Sequence, residues 1–118
     1  MAFPSRVLAA GTSGVTTTAI CGDVANTLTA AGSTAADALV VSAAIVRVST
    51  AALGTGIKIP NAEAGSMIVV INDGANALKV YPQTGSTIDG AASVSVTAAK
   101  RTILVGISPT AWYSIPSA

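Results

Sequence analysis

The feature that most restricts the fold of this sequence is a series of short apolar runs, five to eight residues long, separated by residues with specific turn chemistry. The series tightens from about Ala38. By the two-residue alternation of a strand, Val40, Ala44, Val46 and Val48 fall on one side, and Arg47 and Ser49 on the other. Ile57 and Ile59 flank Lys58, and Pro60 ends that segment. Met67 to Ile71 is a continuous apolar run suited to a central strand. Leu78 and Val80 alternate with Lys79 and Tyr81, and Val94 and Val96 alternate with Ser93, Ser95 and Thr97. Thr102 to Ile107 and Trp112 to Ile115 complete the series. Asp73-Gly74, Pro82, Gly85, Asp89-Gly90 and Ser108-Pro109 separate the runs.

This spacing predicts an all-β fold, a compact β-sandwich or barrel-like domain over residues 31–118. Two hairpins are expected. One joins Met67–Ile71 to Ala77–Tyr81 through the turn Asn72–Asn76; the other joins Thr102–Ile107 to Ala111–Ile115 across Ser108, Pro109 and Thr110. Residues 1–30, rich in Gly, Thr, Ala and Ser and without sustained periodicity, read as an extended N-terminal arm or loosely attached strand. Thr34 and Asp37 resemble a capping box, with Ala36, Leu39, Val40, Ala43 and Val46 sharing a helical face. The β-branched residues Val40, Val41, Ile45, Val46 and Val48 favour a strand there, and the strand reading is preferred.

Side-chain size bears on what such strands can bury. Ala, Gly, Ser and Thr occupy 61 of 118 positions, whereas there are one Phe, one Trp and two Tyr. Small side chains yield little apolar area each, so self-association is expected to supply buried surface that the monomer lacks. The 51% hydrophobic content with 9% charged residues is the reverse of a disordered composition. A net charge of +1 from dispersed residues argues against a basic nucleic-acid-binding face. Mean hydropathy is +0.67, yet no apolar run approaches the roughly 20 residues that cross a bilayer, so no membrane partner is expected.

Arg6 followed by Val7, Leu8, Ala9 and Ala10 looks like the start of a secretory signal, and Cys21 could imitate a lipidation site. Gly11 to Thr18 interrupts the apolar core, and Ile20 is bulky for a cleavage position. A small buried or half-buried side chain is therefore the expected state of Cys21, which has no second cysteine to pair with.

Reactive chemistry is sparse. With no histidine, a Ser-His-Asp triad, a Cys-His pair and every histidine metal site are excluded. No signature selects a Ser-Lys pair from Lys58, Lys79 or Lys100 and twelve serines. Asp23, Asp37, Glu63, Asp73 and Asp89 are isolated in sequence, and Asp73 and Asp89 each precede a turn glycine. Gly54-Thr55-Gly56 lacks the Gly-Lys-Ser/Thr of a phosphate loop and reads as a turn before Ile57. No catalytic residue, metal site or cofactor is assigned. Tyr81, Trp112 and Tyr113 are candidate interface aromatics. Lys100 and Arg101 read either as a solvated turn or as an anchor for an acidic patch on a partner.

The order of motifs from Leu53 to Ile115 resembles a small β-rich module of virion structural proteins of tailed bacteriophages. The residues carrying the likeness are Gly54–Pro60, Gly65 before Met67–Ile71, Gly85, Ile88, Trp112–Ile115 and above all the stretch Asn72–Pro82 (Asn-Asp-Gly-Ala-Asn-Ala-Leu-Lys-Val-Tyr-Pro). The resemblance implies a non-enzymatic capsid decoration or cement protein, made in the bacterial host cytoplasm and bound as a homotrimer to the major capsid protein on the outer surface of the head. Head fibres and tail appendages are the alternative, with a receptor- or glycan-binding role. On the first reading residues Ala2 to about Ile20 form an arm across neighbouring capsomers, and Phe3, Arg6, Val7, Leu8, Lys100 and Arg101 are candidate capsid contacts. A cell-envelope lipoprotein anchored at Cys21 is a third reading.

Overall fold

A computed structural model describes residues 3–118, and most of its ordered backbone is strand. Two short helices, α1 (Pro4–Ala9) and α2 (Gly14–Cys21), precede ten strands. These are β1 (Val24–Thr29), β2 (Leu39–Val40), β3 (Ile45–Thr50), β4 (Gly56–Lys58), β5 (Met67–Asn72), β6 (Leu78–Tyr81), β7 (Thr87–Ile88), β8 (Val94–Val96), β9 (Arg101–Ser108) and β10 (Ala111–Pro116). They form a six-stranded sheet in the order β1-β3-β5-β9-β10-β7 and a four-stranded sheet in the order β2-β4-β6-β8.

From β1 to β6 the chain passes from one sheet to the other at every strand, and each strand lies parallel to the one two places earlier. The result is a β-solenoid-like winding of stacked sheets. The winding then stops: β8 adds antiparallel to β6, β9 adds antiparallel to β5, and β9 and β10 form a hairpin. Between the sheets lies a core of small and medium side chains, with Val46, Val48, Val70, Leu104 and Trp112 from the large sheet facing Ile57, Leu78 and Val80 from the small one.

The all-β expectation agrees with this architecture, and the hairpin across Ser108–Thr110 is present as β9–β10. The other hairpin is not. β5 and β6 belong to different sheets, because Asn72–Asn76 turns a corner instead of reversing the chain. The buried side chain of Asn72 explains it: Nδ2 donates to the carbonyl oxygens of Asn76 and Val96 at 2.9 Å each, and Oδ1 accepts from the Gly74 amide at 3.0 Å. A residue that satisfies so many backbone groups inside the molecule directs the chain inward across the core edge.

Two further expectations are corrected. Val40 does not share a face with Val46 and Val48: it is exposed in β2 of the small sheet, while they are buried in β3 of the large one. Thr34–Asp37 caps no helix; the Asp37 carboxylate instead accepts from the amides of Ser33 and Thr34 and from the Thr34 hydroxyl, closing a turn. Two glycines permit the close approaches of the winding. A Cβ at Gly56 would stand 2.6 Å from the Lys79 carbonyl oxygen, and one at Gly32, whose φ is +73°, would collide with that of Asp37.

The N-terminal segment is not an extended arm. Pro4 opens α1, and Ser13 caps α2 by accepting from the Thr16 amide at 3.2 Å, so two local start signals outweigh the poor helix propensity of three threonines. Val24–Thr29 pairs with β3 and Ala30 is buried in the core, which leaves residues 3–23 outside the sheets. Ala2, where the expected arm begins, lies outside the described residues.

Candidate interaction surface

The two outer faces of the molecule differ in chemistry. On the small sheet, register brings Lys58 beside Val40 and Tyr81, and Lys79 beside Ser95, so two cations and a hydroxyl face outward together with the exposed Val40. On the large sheet two neighbouring rows of outward positions are apolar, the longer of them across five strands. Val24, Ile45, Val69, Ile103 and Ile115 stand side by side in one cross-strand row. Met67, Val105 and Tyr113 form the next. Their inward neighbours Val46, Ile68, Val70, Leu104 and Trp112 are buried, whereas Val24, Met67, Tyr113 and Ile115 are more than half exposed.

Charge is confined to one end of this face. Arg47 Nε donates to Asp73 Oδ2 at 2.7 Å, Arg47 Nη1 donates to Asn26 Oδ1 at 3.0 Å, and Arg101 lies 3.6 Å from the other Asp73 oxygen. These contacts are partly exposed and each is worth a fraction of a kcal/mol up to about 1 kcal/mol. Their main effect is to hold two long side chains, Arg47 and Arg101, at the rim.

A second apolar surface belongs to the helices. α1 buries no residue, and Phe3, Leu8, Val15 and Ile20 are exposed. Arg6 stacks over the Phe3 ring at 5.2 Å, and Val7 is half-buried. Thr17 and Cys21, one turn apart on α2, are buried. Cys21 therefore occupies the small, buried position expected of it.

The residues singled out from sequence divide unevenly. Trp112 is 1% exposed and Tyr81 9%, so neither is an interface aromatic; Trp112 fills the core, and the Tyr81 ring packs over Gly56. Tyr113, next to Trp112 on the opposite face, is 52% exposed and keeps that role open. Lys100 and Arg101 occupy the turn into β9, with Lys100 Nζ donating to the Ala118 carbonyl oxygen. They line an open groove of about 280 Å³ between β8 and the β9–β10 hairpin, with Ser95, Thr97, Ser114 and Ser117.

Four of the five carboxylates are structural. Asp23 accepts from the Ala44 amide at 2.8 Å, ahead of β3. Asp37 closes its turn, and the Thr34 amide and hydroxyl hold its carboxyl below the ordinary value of 3.8. Asp73 anchors the arginines, and Asp89 bonds the amide and hydroxyl of Ser114. Among the described residues no three Asp, Glu or Cys side chains converge on a metal-sized site, and no helix is long and apolar enough to cross a membrane.

Sequence reasoning missed the apolar rows. The continuous apolar run Met67–Ile71 was suited to a central strand, and among the described residues the outward rows stay open, with Val24, Met67, Tyr113 and Ile115 more than half exposed. No protein-family model matches the chain, and comparison with curated proteins and with solved structures gives no match either.

Proposed function

We propose that this chain is a non-enzymatic virion structural protein of a tailed bacteriophage: a decoration or cement protein that binds as a homotrimer to the major capsid protein and stabilises the head from its outer surface. The observation that carries this reading is the apolar surface presented in two separate places, on the α1–α2 hairpin and on the outer face of the six-stranded sheet. Exposed apolar patches of this kind belong to proteins that act by being covered. The resemblance of Leu53–Ile115 to virion modules supplies the setting. In this reading the two stacked sheets act as one rigid, sandwich-like body, and the hairpin carrying Phe3, Arg6, Val7 and Leu8 reaches the shell. Three hairpins on one trimer bind together through effective concentration, so each needs only a modest contact.

Co-sedimentation with undecorated capsids tests the proposal. Full-length protein is expected to add stoichiometrically and raise capsid resistance to heat. Removing residues 2–20 is expected to abolish addition while the circular dichroism of the β body is retained. Undiminished binding by the shortened chain would overturn the role of the hairpin.

The fibre or tail-appendage alternative keeps two separate supporting observations, the hydroxyl-lined groove between β8 and the β9–β10 hairpin and the exposed Tyr113 ring on the other face of β10. Trp112 cannot serve it, being inside the core. Glycan or whole-cell binding that is lost in Tyr113→Ala would favour this reading over the cement role.

A further inference from the structure

We infer that the outer face of the six-stranded sheet is where copies of this chain bury themselves against one another. The inference rests on the self-association part of the reading above and names its surface. Strands lie about 5 Å apart and alternate side chains about 7 Å apart along each strand, so the two rows with Ile71 and Ile107 cover roughly 300 Å² in plane. Stable association covers about 800 Å² on each partner, arranged as an apolar centre within a polar rim. The rows supply such a centre. Asn26, Arg47, Asp73 and Arg101 supply one side of such a rim.

A second copy fits this face better than a charged partner does. The rows hold no ionisable group except the Tyr113 phenol, so identical faces meet without like-charge contact at their centre. The rim contains both signs, Asp73 with Arg47 and Arg101, so the rim of one copy can meet opposite charge on the next around a closed ring. The whole chain carries only +1, which leaves little repulsion between copies. Lys58 and Lys79 mark the opposite sheet as the solvated side.

Light scattering coupled to size exclusion, on the full-length chain over a concentration series, tests the inference. The wild type is expected to form a closed oligomer. Ile103→Glu, inside the row between Val69 and Ile115, is expected to weaken association by at least about a hundredfold, because a carboxylate would be buried without a partner. Ile115→Lys, at an exposed end of the same row, gives the same readout if Ile103→Glu fails to fold by circular dichroism. Lys79→Glu, on the small sheet, is expected to leave the oligomer intact. A monomeric wild type, unchanged association in folded Ile103→Glu or Ile115→Lys, or dissociation by Lys79→Glu alone would overturn it. An oligomer that dissociates as expected yet never binds capsids sinks the cement reading and leaves this inference standing; a monomer that binds capsids does the reverse.

Discussion

The side-chain amide of Asn72 donates to the main-chain carbonyl oxygen of Val96 at 2.9 Å, tying the end of β5 in the six-stranded sheet to β8 in the four-stranded one. The contact is buried, and the same side chain bonds Asn76 and Gly74, so one residue closes both the inter-sheet corner and its turn. Asn72→Ala removes three hydrogen bonds and leaves their backbone partners under-satisfied. A loss of about 2–4 kcal/mol is expected. Urea denaturation of the two proteins measures it, and a change under about 0.5 kcal/mol would show that the corner forms without the side chain.

At Gly56, which pairs with Lys79, the contact between β4 and β6 leaves no room for a side chain. An added methyl meets the Lys79 carbonyl oxygen at 2.6 Å and the Tyr81 ring at 2.8 Å. The ring can shift, but the paired backbone cannot. Gly56→Ala is expected to lower stability by about 1–3 kcal/mol, as overpacking usually does. Thermal unfolding checks it, with Gly54→Ala as a comparison that meets no neighbour but is strained at φ +81°.

Acid should weaken the turn at Thr34–Asp37. The folded-state carboxyl of Asp37 lies below its ordinary value of 3.8, the Thr34 amide being the leading cause. A lowered folded value means that the ionised carboxylate stabilises the fold above the unfolded value, and that this contribution disappears as pH falls through the folded one. Asp37→Ala is therefore expected to melt below the wild type at neutral pH, with the gap closing in strong acid. A gap independent of pH would refute the electrostatic account.

Trp112 is the one tryptophan and lies in the core. Native emission is expected to be blue-shifted and poorly quenched by iodide, with a red shift in a single transition on denaturation. Efficient quenching of the folded protein would contradict the burial. Ellman's reagent offers a parallel check on Cys21, which is expected to react slowly until the chain unfolds.

The positions of strands were legible because side-chain alternation is local: Val46 and Val48 against Arg47, Leu78 and Val80 against Lys79, and the turn at Ser108–Thr110 are all readable within a few residues. The absence of a histidine site was equally plain from residue types. The helices at residues 4–21 were harder to read, since each is short and their only signals are Pro4 and the Ser13 cap.

Pairing is a different matter, since it depends on contacts between residues far apart in the chain. Asn72-Asp73-Gly74 has the chemistry of a hairpin turn, and only the burial of Asn72 against Val96 makes it a corner between sheets. Likewise Trp112 and Tyr113 are adjacent aromatics, but strand alternation combined with the placement of the second sheet puts one in the core and the other on an open face. Local chemistry in the sequence determined which segments extend and which bend. Tertiary structure alone decided which apolar side chains find cover within the molecule, because cover is supplied by another part of the chain.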